Sequence, residues 1–286
     1  MATSILVSEI TETGRFLENP DGYAWIGRAG NKIFLGLYAG RLRYGSRSSF
    51  NIEGTDSSDN IFSYGYEDGA KAYIEAGDGD DTYTMYGNTT ARFYGGSGND
   101  YATINSTSQK QYLFGEDGND TLISSNGDDI LMGGEGHDYI VGGGGNDIIG
   151  GGSGTDWLQG GSGNDYLTGA EGNDYLEGGD GADTLIGGAG HDWLTGGSGS
   201  DTFDQRDQKG SLQYTGISDF SFEEGDKIRV NADSLHGIPF NGSPQVTNYQ
   251  PGNSVLAVRV TTEDNSFLVW GFDTNTFNSE AAFEIM

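Results

Sequence analysis

The sequence predicts an all-β fold: a parallel β-solenoid between short β-rich segments. Three observations predict it. From Gly115 to Asp204 the chain divides without gaps into ten nine-residue units. Glycine holds the fourth place and aspartate the sixth in every unit, and the eighth is always apolar. Glycine density then collapses after Asp204, so the 51 glycines of this 286-residue chain follow the repeat instead of marking disorder.

Each column has a physical reason. Glycine accepts positive φ, so the first six residues of a unit are expected to form a tight turn whose carbonyls converge. Residues seven to nine are expected to form a short strand, with the eighth side chain inward and its neighbours outward. Two units then make one coil of eighteen residues. Stacked coils give two parallel sheets around a thin core built from Leu122, Leu131, Ile140 and their equivalents through Phe203.

Four segments follow in chain order. Residues 1–53 carry a net +1 and read as short strands with turns at NPDG and RAGNK, a β cap over the first coil. Residues 54–114 repeat the turn at wider spacing: GTDSSDNIF from Gly54, AGDGDDTYT from Ala76 and GGSGNDYAT from Gly95. Their sixth-place residues Asp59, Asp81 and Asp100 precede Asp120 at intervals of 22, 19 and 20, each close to one coil. These early coils are expected to bind metal on one edge only, with MYGNTTARFY and NSTSQKQYLF closing the other. Residues 115–204 are the strict array. Residues 205–286 alternate apolar and polar positions as antiparallel strands would, and form a C-terminal capping segment.

The aspartates fall into two files. Asp120, Asp138, Asp156, Asp174 and Asp192 share one edge; Asp129, Asp147, Asp165, Asp183 and Asp201 share the other. Neighbours within a file are about 4.8 Å apart, the spacing of adjacent strands. Carboxylates that close repel unless a cation lies between them. Two carboxylates plus turn carbonyls suit a hard cation with six to eight oxygen ligands, which favours calcium over zinc, copper or magnesium. The array holds 18 acids and no lysine or arginine, and so carries most of the formal charge of −29.

These residues resemble the RTX calcium-binding nonapeptide of exported bacterial proteins, which implies a right-handed parallel β-roll. The resemblance implies that each ion sits between turns eighteen residues apart, held by both sixth-place aspartates and by main-chain carbonyls. For Asp120/Asp138 the implied carbonyls are those of Glu116, Gly118, Gly133 and Glu135. Along that edge the implied set continues through Gly134, Gly136, Gly151, Gly152, Gly154, Gly169, Gly172, Gly187, Gly188 and Gly190. On the other it is Gly127, Gly142, Gly143, Gly145, Gly160, Gly161, Gly163, Gly178, Gly179, Gly181, Gly196 and Gly199. The second unit departs from the pattern, with Ser124, Ser125 and Asn126 in its first three places. About eight ions are implied, with weaker sites upstream at Asp81 and Asp100. The stretch from Gly216 to Ala232 is similar to the segment that closes the roll in serralysin-type proteases and in R-modules of mannuronan epimerases. An uncleaved signal for type I export within the last several dozen residues is implied as well, making the export machinery a partner.

Composition excludes other classes. A chain with 43 acidic and 14 basic residues repels nucleic acid and anionic membranes. Without cysteine there is no disulfide, thiolate site or cysteine nucleophile. The longest early apolar run, Ile5-Leu6-Val7, is too short for a cleaved signal peptide, and nothing approaches a transmembrane helix. HExxH and GxSxG signatures are absent, His137 and His191 occupy variable turn places, and His236 has no partner motif. No catalytic residues are expected.

One outward feature stands apart from the metal. The seventh places of one sheet read Thr121, Tyr139, Trp157, Tyr175 and Trp193, with Tyr101 upstream. Such a row either stacks along the sheet or beneath the C-terminal segment, or binds a glycan or partner. The resulting expectation is a secreted, non-enzymatic calcium-binding roll acting at a cell surface or in matrix, in adhesion, glycan binding or assembly. Its rivals are an export, folding and substrate-binding module accessory to a secreted enzyme such as an alginate epimerase, and a small membrane-active effector.

Overall fold

In the computed structural model the described residues are 3–6, 15–19, 22–29, 32–38, 49–65, 71–105, 108–205, 214–221, 224–230, 256–261, 266–272 and 283–285. They are all-β, with no helix among them, and the chain divides into two compact units, residues 1–148 and 149–286. Each unit is a parallel β-solenoid with two sheets.

The first unit holds β1 (Thr3–Leu6), β2 (Arg15–Asn19), β3 (Gly22–Ala29), β4 (Lys32–Tyr38), β5 (Ser49–Thr55), β6 (Asn60–Gly65) and β7 (Lys71–Asp78). It continues with β8 (Thr82–Gly87), β9 (Thr90–Ser97), β10 (Tyr101–Asn105), β11 (Tyr112–Asp117), β12 (Thr121–Ile123), β13 (Ile130–Glu135) and β14 (Tyr139–Gly144). One sheet runs β1-β5-β7-β9-β11-β13 and the other β2-β3-β4-β6-β8-β10-β12-β14. The N-terminal segment differs in part: β2, β3 and β4 pair antiparallel, and of these β4 alone meets the coils, in parallel with β6, while β1 pairs in parallel with β5.

The second unit begins at β15 (Ile148–Gly154), whose first residue closes the first unit. It contains β16 (Trp157–Ser162), β17 (Tyr166–Gly172), β18 (Tyr175–Asp180), β19 (Thr184–Ala189), β20 (Trp193–Ser198) and β21 (Thr202–Asp204). After these come β22 (Tyr214–Ile217), β23 (Lys227–Val230), β24 (Leu256–Thr261), β25 (Ser266–Phe272) and β26 (Phe283–Ile285). The sheets are ordered β15-β17-β19-β21-β23-β26 and β16-β18-β20-β22-β25-β24. The antiparallel expectation for the tail holds for β24 against β25 alone. β22 pairs with β25, and β23 with β26, in parallel, so the tail extends the sheets of the coils.

The eighth-place side chains form the core, each no more than 2 % exposed. Except for β12 and β21, the strands of the array are longer than three residues: β13 runs from the seventh place of one unit to the third place of the next, and the turn proper shrinks to the residues between. Alternation explains this extension. The eighth place points in, and so does the next first place, where a glycine leaves room inside the coil. Upstream coils are wider, and their interior is aromatic: Tyr83 stacks on Phe93 with centroids 5.5 Å apart, and its hydroxyl meets Ser63 Oγ at 2.9 Å.

Candidate metal centre

The sixth-place aspartates are buried, and their two carboxylate oxygens do different things. Oδ1 accepts the main-chain N–H of the sixth-place residue one coil earlier. In the first unit Asp59 donates to Asp81 at 2.6 Å, Asp81 to Asp100 at 2.8 Å, Asp100 to Asp120 at 2.7 Å and Asp120 to Asp138 at 2.8 Å. In the second unit Asp156 donates to Asp174 at 2.9 Å and Asp174 to Asp192 at 3.1 Å; on the other edge Asp165 donates to Asp183 at 2.7 Å and Asp183 to Asp201 at 2.9 Å. The unequal upstream intervals are therefore single coils, as their spacing suggested.

Oδ2 differs from turn to turn. In Asp81, Asp100, Asp120, Asp174, Asp183 and Asp192 it is buried without a hydrogen bond. A buried, ionised oxygen left in this way carries the full desolvation cost, so a protein rarely keeps six of them without a ligand.

The first-place glycine shows where that oxygen points. A β-carbon on Gly115 would fall on Asp120 Oδ2 and within 2.7 Å of the Gly133 carbonyl oxygen. On Gly169 it would fall on Asp174 Oδ2 and within 2.6 Å of Gly187 O; on Gly178, on Asp183 Oδ2 and within 2.6 Å of Gly196 O. Carboxylate and next-coil carbonyl thus converge on a space that exists because the side chain is missing. The second and fourth places of the turn take positive φ, as at Gly134 and Gly136, both at 124°. Glu116 and Ala170 hold the second place with φ of 79° and 82°, which is costly for residues with a β-carbon.

The carboxyls titrate high. Burial is the first cause, only partly offset by the N–H bond: Asp100, Asp147, Asp174 and Asp201 are pushed up to about 7, and Asp81, Asp120, Asp183 and Asp192 to about 6. Neighbouring aspartates raise several further, as Asp156 and Asp192 do for Asp174. Among the described residues no three acidic or imidazole side chains converge, so the donors on offer to a cation here are carboxylate and main-chain oxygens. All-oxygen donors of that kind fit calcium.

Residues 113–149, 150–185 and 177–204 match the RTX calcium-binding nonapeptide repeat, a family of four-copy repeats. These residues are RTX calcium-binding repeats. No curated protein matches the chain. Among solved structures it is similar to the AlgE6R3 subunit of the Azotobacter vinelandii mannuronan C5-epimerase, at 25 % identity, covering 47 % of this chain and 78 % of that one, with a TM-score of 0.37.

Not every turn of the RTX repeats or their upstream extension is alike. At Asp129 the first place is Ser124, and its hydroxyl donates to Asp129 Oδ2. At Asp59 the same oxygen accepts from Thr55 N at 2.7 Å and Thr55 Oγ1 at 3.0 Å. On the edge opposite Asp100, Gln111 takes the sixth place. Its N–H donates to Asp129 Oδ1 at 2.7 Å, its Oε1 accepts from Ala91 N at 2.7 Å, and its Nε2 donates to Thr89 O at 3.1 Å and Gln109 O at 2.6 Å. That side chain closes the early edge with protein groups, in the segment read as metal-free.

Sequence reasoning missed two features. Asp226 continues the file past Asp201, accepting Asp201 N–H at 2.9 Å on Oδ1 and Ser221 N–H at 2.8 Å on Oδ2. Asp219 accepts from Gly196 N at 2.9 Å and Gly197 N at 2.7 Å, while Phe220 packs against Phe203. The aspartates of the segment after Gly216 thus close the second unit's turns, the role its resemblance implied; the spacing from the last repeat hid only which aspartate follows Asp201. Fifth-place amides form a second, outer ladder, in which Asn119 Oδ1 accepts from His137 N at 2.7 Å and Asn173 Oδ1 from His191 N at 2.8 Å. Both histidines are exposed, in turns. His236 lies outside the described residues.

The aromatic row faces outward. Tyr101 and Tyr139 are each 42 % exposed in the first unit; Trp157, Tyr175 and Trp193 are 52, 50 and 43 % exposed in the second. Trp157 and Tyr175 stack at 5.7 Å, and the Trp193 ring covers Gly216 so closely that a β-carbon there would come within 2.6 Å of it.

Proposed function

We propose that the chain is a secreted protein that folds on meeting extracellular calcium and acts without catalysis at a cell surface or in matrix, through adhesion, glycan binding or assembly. One observation carries it: the buried Oδ2 atoms of Asp100, Asp120, Asp174 and Asp183 lack any protein partner while each points at a glycine-made space shared with a next-coil carbonyl. Bound there, calcium supplies the positive charge that cancels repulsion within each file.

The chain's residues do the rest. First-place glycines leave the space, sixth-place aspartates fix each coil to the last through Oδ1, and the outer amides hold the turns in register. At calcium below its site affinities the carboxylates oppose folding, which keeps the chain exportable; outside, a site with a dissociation constant about tenfold below ambient calcium contributes roughly 1.4 kcal/mol. About eight such sites would contribute roughly 11 kcal/mol, comparable to the whole stability of an ordinary domain, about 5 to 15 kcal/mol.

Circular dichroism tests this reading directly. A disordered spectrum in EDTA should become β-rich in millimolar calcium, with the midpoint set by calcium and not by magnesium. A native-like spectrum in EDTA would sink it. A polysaccharide pull-down and a liposome-leakage assay, each with and without calcium, separate the surface role from an enzyme accessory and from a membrane-active effector.

A further inference from the structure

Between Gly54 and Gln205 the sequence has three basic residues, Lys71, Arg92 and Lys110, and all three line one pocket of about 150 Å³ in the first unit. Ala72, Tyr73, Thr90 and Tyr112 complete its wall. The pocket lies on the outward face of the β7-β9-β11 sheet, where Tyr73, Arg92 and Tyr112 stand in register across three strands. No carboxylate among the described residues pairs with Arg92 or Lys71, in a chain of formal charge −29. Lys110 has a second role: its charge also reaches Asp129 and Asp147.

The guanidinium lies over two rings. Arg92 Cζ lies 4.4 Å from the Tyr112 ring centroid and 5.9 Å from that of Tyr73, and Lys110 Nζ lies 5.7 Å from Tyr112. The rings offer the guanidinium no hydrogen-bond acceptor in its plane, and its N–H fork matches the two oxygens of a carboxylate. One row along the strands, Tyr94 and Phe114 are in register and stack at 5.0 Å. Two residues of strand separate the rows, about 7 Å. Glu75 is in register with Tyr94 and offers hydrogen-bond acceptors beside that pair. The surface therefore reads, in order, a fork for an anion, an aromatic platform and an acceptor for hydroxyls.

We propose that this surface binds an acidic sugar residue, its carboxylate on Arg92 with Lys71 and Lys110 adjacent, and its ring on the Tyr94/Phe114 pair. The space holds about five waters' worth of volume, room for one anionic group and part of its ring. Nucleic acid and anionic membranes present dense arrays of charge that the rest of the chain repels, whereas a single carboxylate on a hydroxylated ring does not. The site deepens the glycan-binding part of the reading above and rests on it only in requiring the folded, calcium-loaded chain.

The test titrates the full chain in calcium with glucuronate, glucose and sodium sulfate, by calorimetry or ligand-observed NMR, while circular dichroism reads calcium-induced folding separately. Glucuronate should saturate with a dissociation constant of about 1 mM, and glucose should not displace it. Arg92→Gln should weaken glucuronate binding about tenfold or more, and the exposed Lys71→Gln about threefold, with calcium-induced folding retained. If Arg92→Gln fails to fold, Lys71→Gln decides. No binding to the folded wild-type chain overturns the proposal and leaves the calcium reading standing. Unchanged affinity in a folded variant, or sulfate binding as tightly as glucuronate, overturns the acidic-sugar assignment.

Discussion

The two edges of the first unit solve the same problem differently. On one, Asp81, Asp100 and Asp120 each bury an oxygen that no protein group meets. On the other, Gln111 fills its turn with an amide, and Asp129 takes the Ser124 hydroxyl. A side-chain donor separates the outcomes. Beside Gly95 and Gly115 the carboxylate faces a next-coil carbonyl across an open space, whereas Ser124 sets a hydroxyl on Asp129, and Thr55, in the place after Gly54, closes Asp59. A turn of these coils is thus either closed by a side-chain donor or left open to a cation.

The hardest way to break this contrast is to give Gly115 a β-carbon. Gly115→Ala would drive a methyl onto Asp120 Oδ2 and against Gly133 O, and should cost about 3 kcal/mol of calcium-loaded stability. Urea unfolding at fixed calcium measures it. A loss well under 1 kcal/mol would mean the space is not tightly held. Next in size, Asp174→Asn removes one buried charge: the calcium-free chain should gain residual structure, and a calcium titration should show a lower stoichiometry or a weakened site.

Protons should partly imitate the ion. The folded carboxyls sit at about 6 to 7, above the ordinary carboxylate value, so without calcium the folded state holds more protons than the unfolded one across that interval. Their contribution to stability is complete below about pH 4 and is lost as pH rises through 6 to 7. A calcium-depleted chain should accordingly show more β signal by circular dichroism at pH 4.5 than at pH 7.5. A flat pH profile would break the link between burial and repulsion. Smaller still, Ser124→Gly should cost about 1 kcal/mol without calcium, through the lost hydroxyl bond, and strengthen calcium uptake at the Asp129 turn.

Much of this was legible in the sequence, because a nine-residue period fixes both coil length and the inward side of every strand. Leu122 through Phe203 could be placed in the core, and Asp59, Asp81 and Asp100 could be placed one coil apart, from spacing alone. The extension of each strand into the following turn could not, since glycine carries no apolar signal at an inward place. Nor could the donors of Ser124 and Gln111: a serine in place of glycine reads as a worn repeat until its hydroxyl is seen on Asp129. Asp226 escaped for a third reason, a spacing of 25 residues from Asp201 where the repeat prescribes eighteen.

The outward faces repeat the contrast on a smaller energy scale. The first unit's face is cationic around Arg92, while the second unit's row of Trp157, Tyr175 and Trp193 is uncharged and exposed. Stacking of Trp157 on Tyr175 stabilises adjacent coils, but a cross-strand aromatic pair contributes only about 0.2–1 kcal/mol. Exposed rings of this size in one file are the uncharged counterpart of the Arg92 face in the glycan binding proposed above. Trp157→Ala with Tyr175→Ala should therefore lower stability by less than about 1 kcal/mol and still abolish retention on a neutral insoluble polysaccharide. Glucuronate binding should be untouched by the pair, just as Arg92→Gln should leave the neutral glycan bound. If the double variant loses calcium-induced folding instead, the row is structural and the two faces do not divide the work.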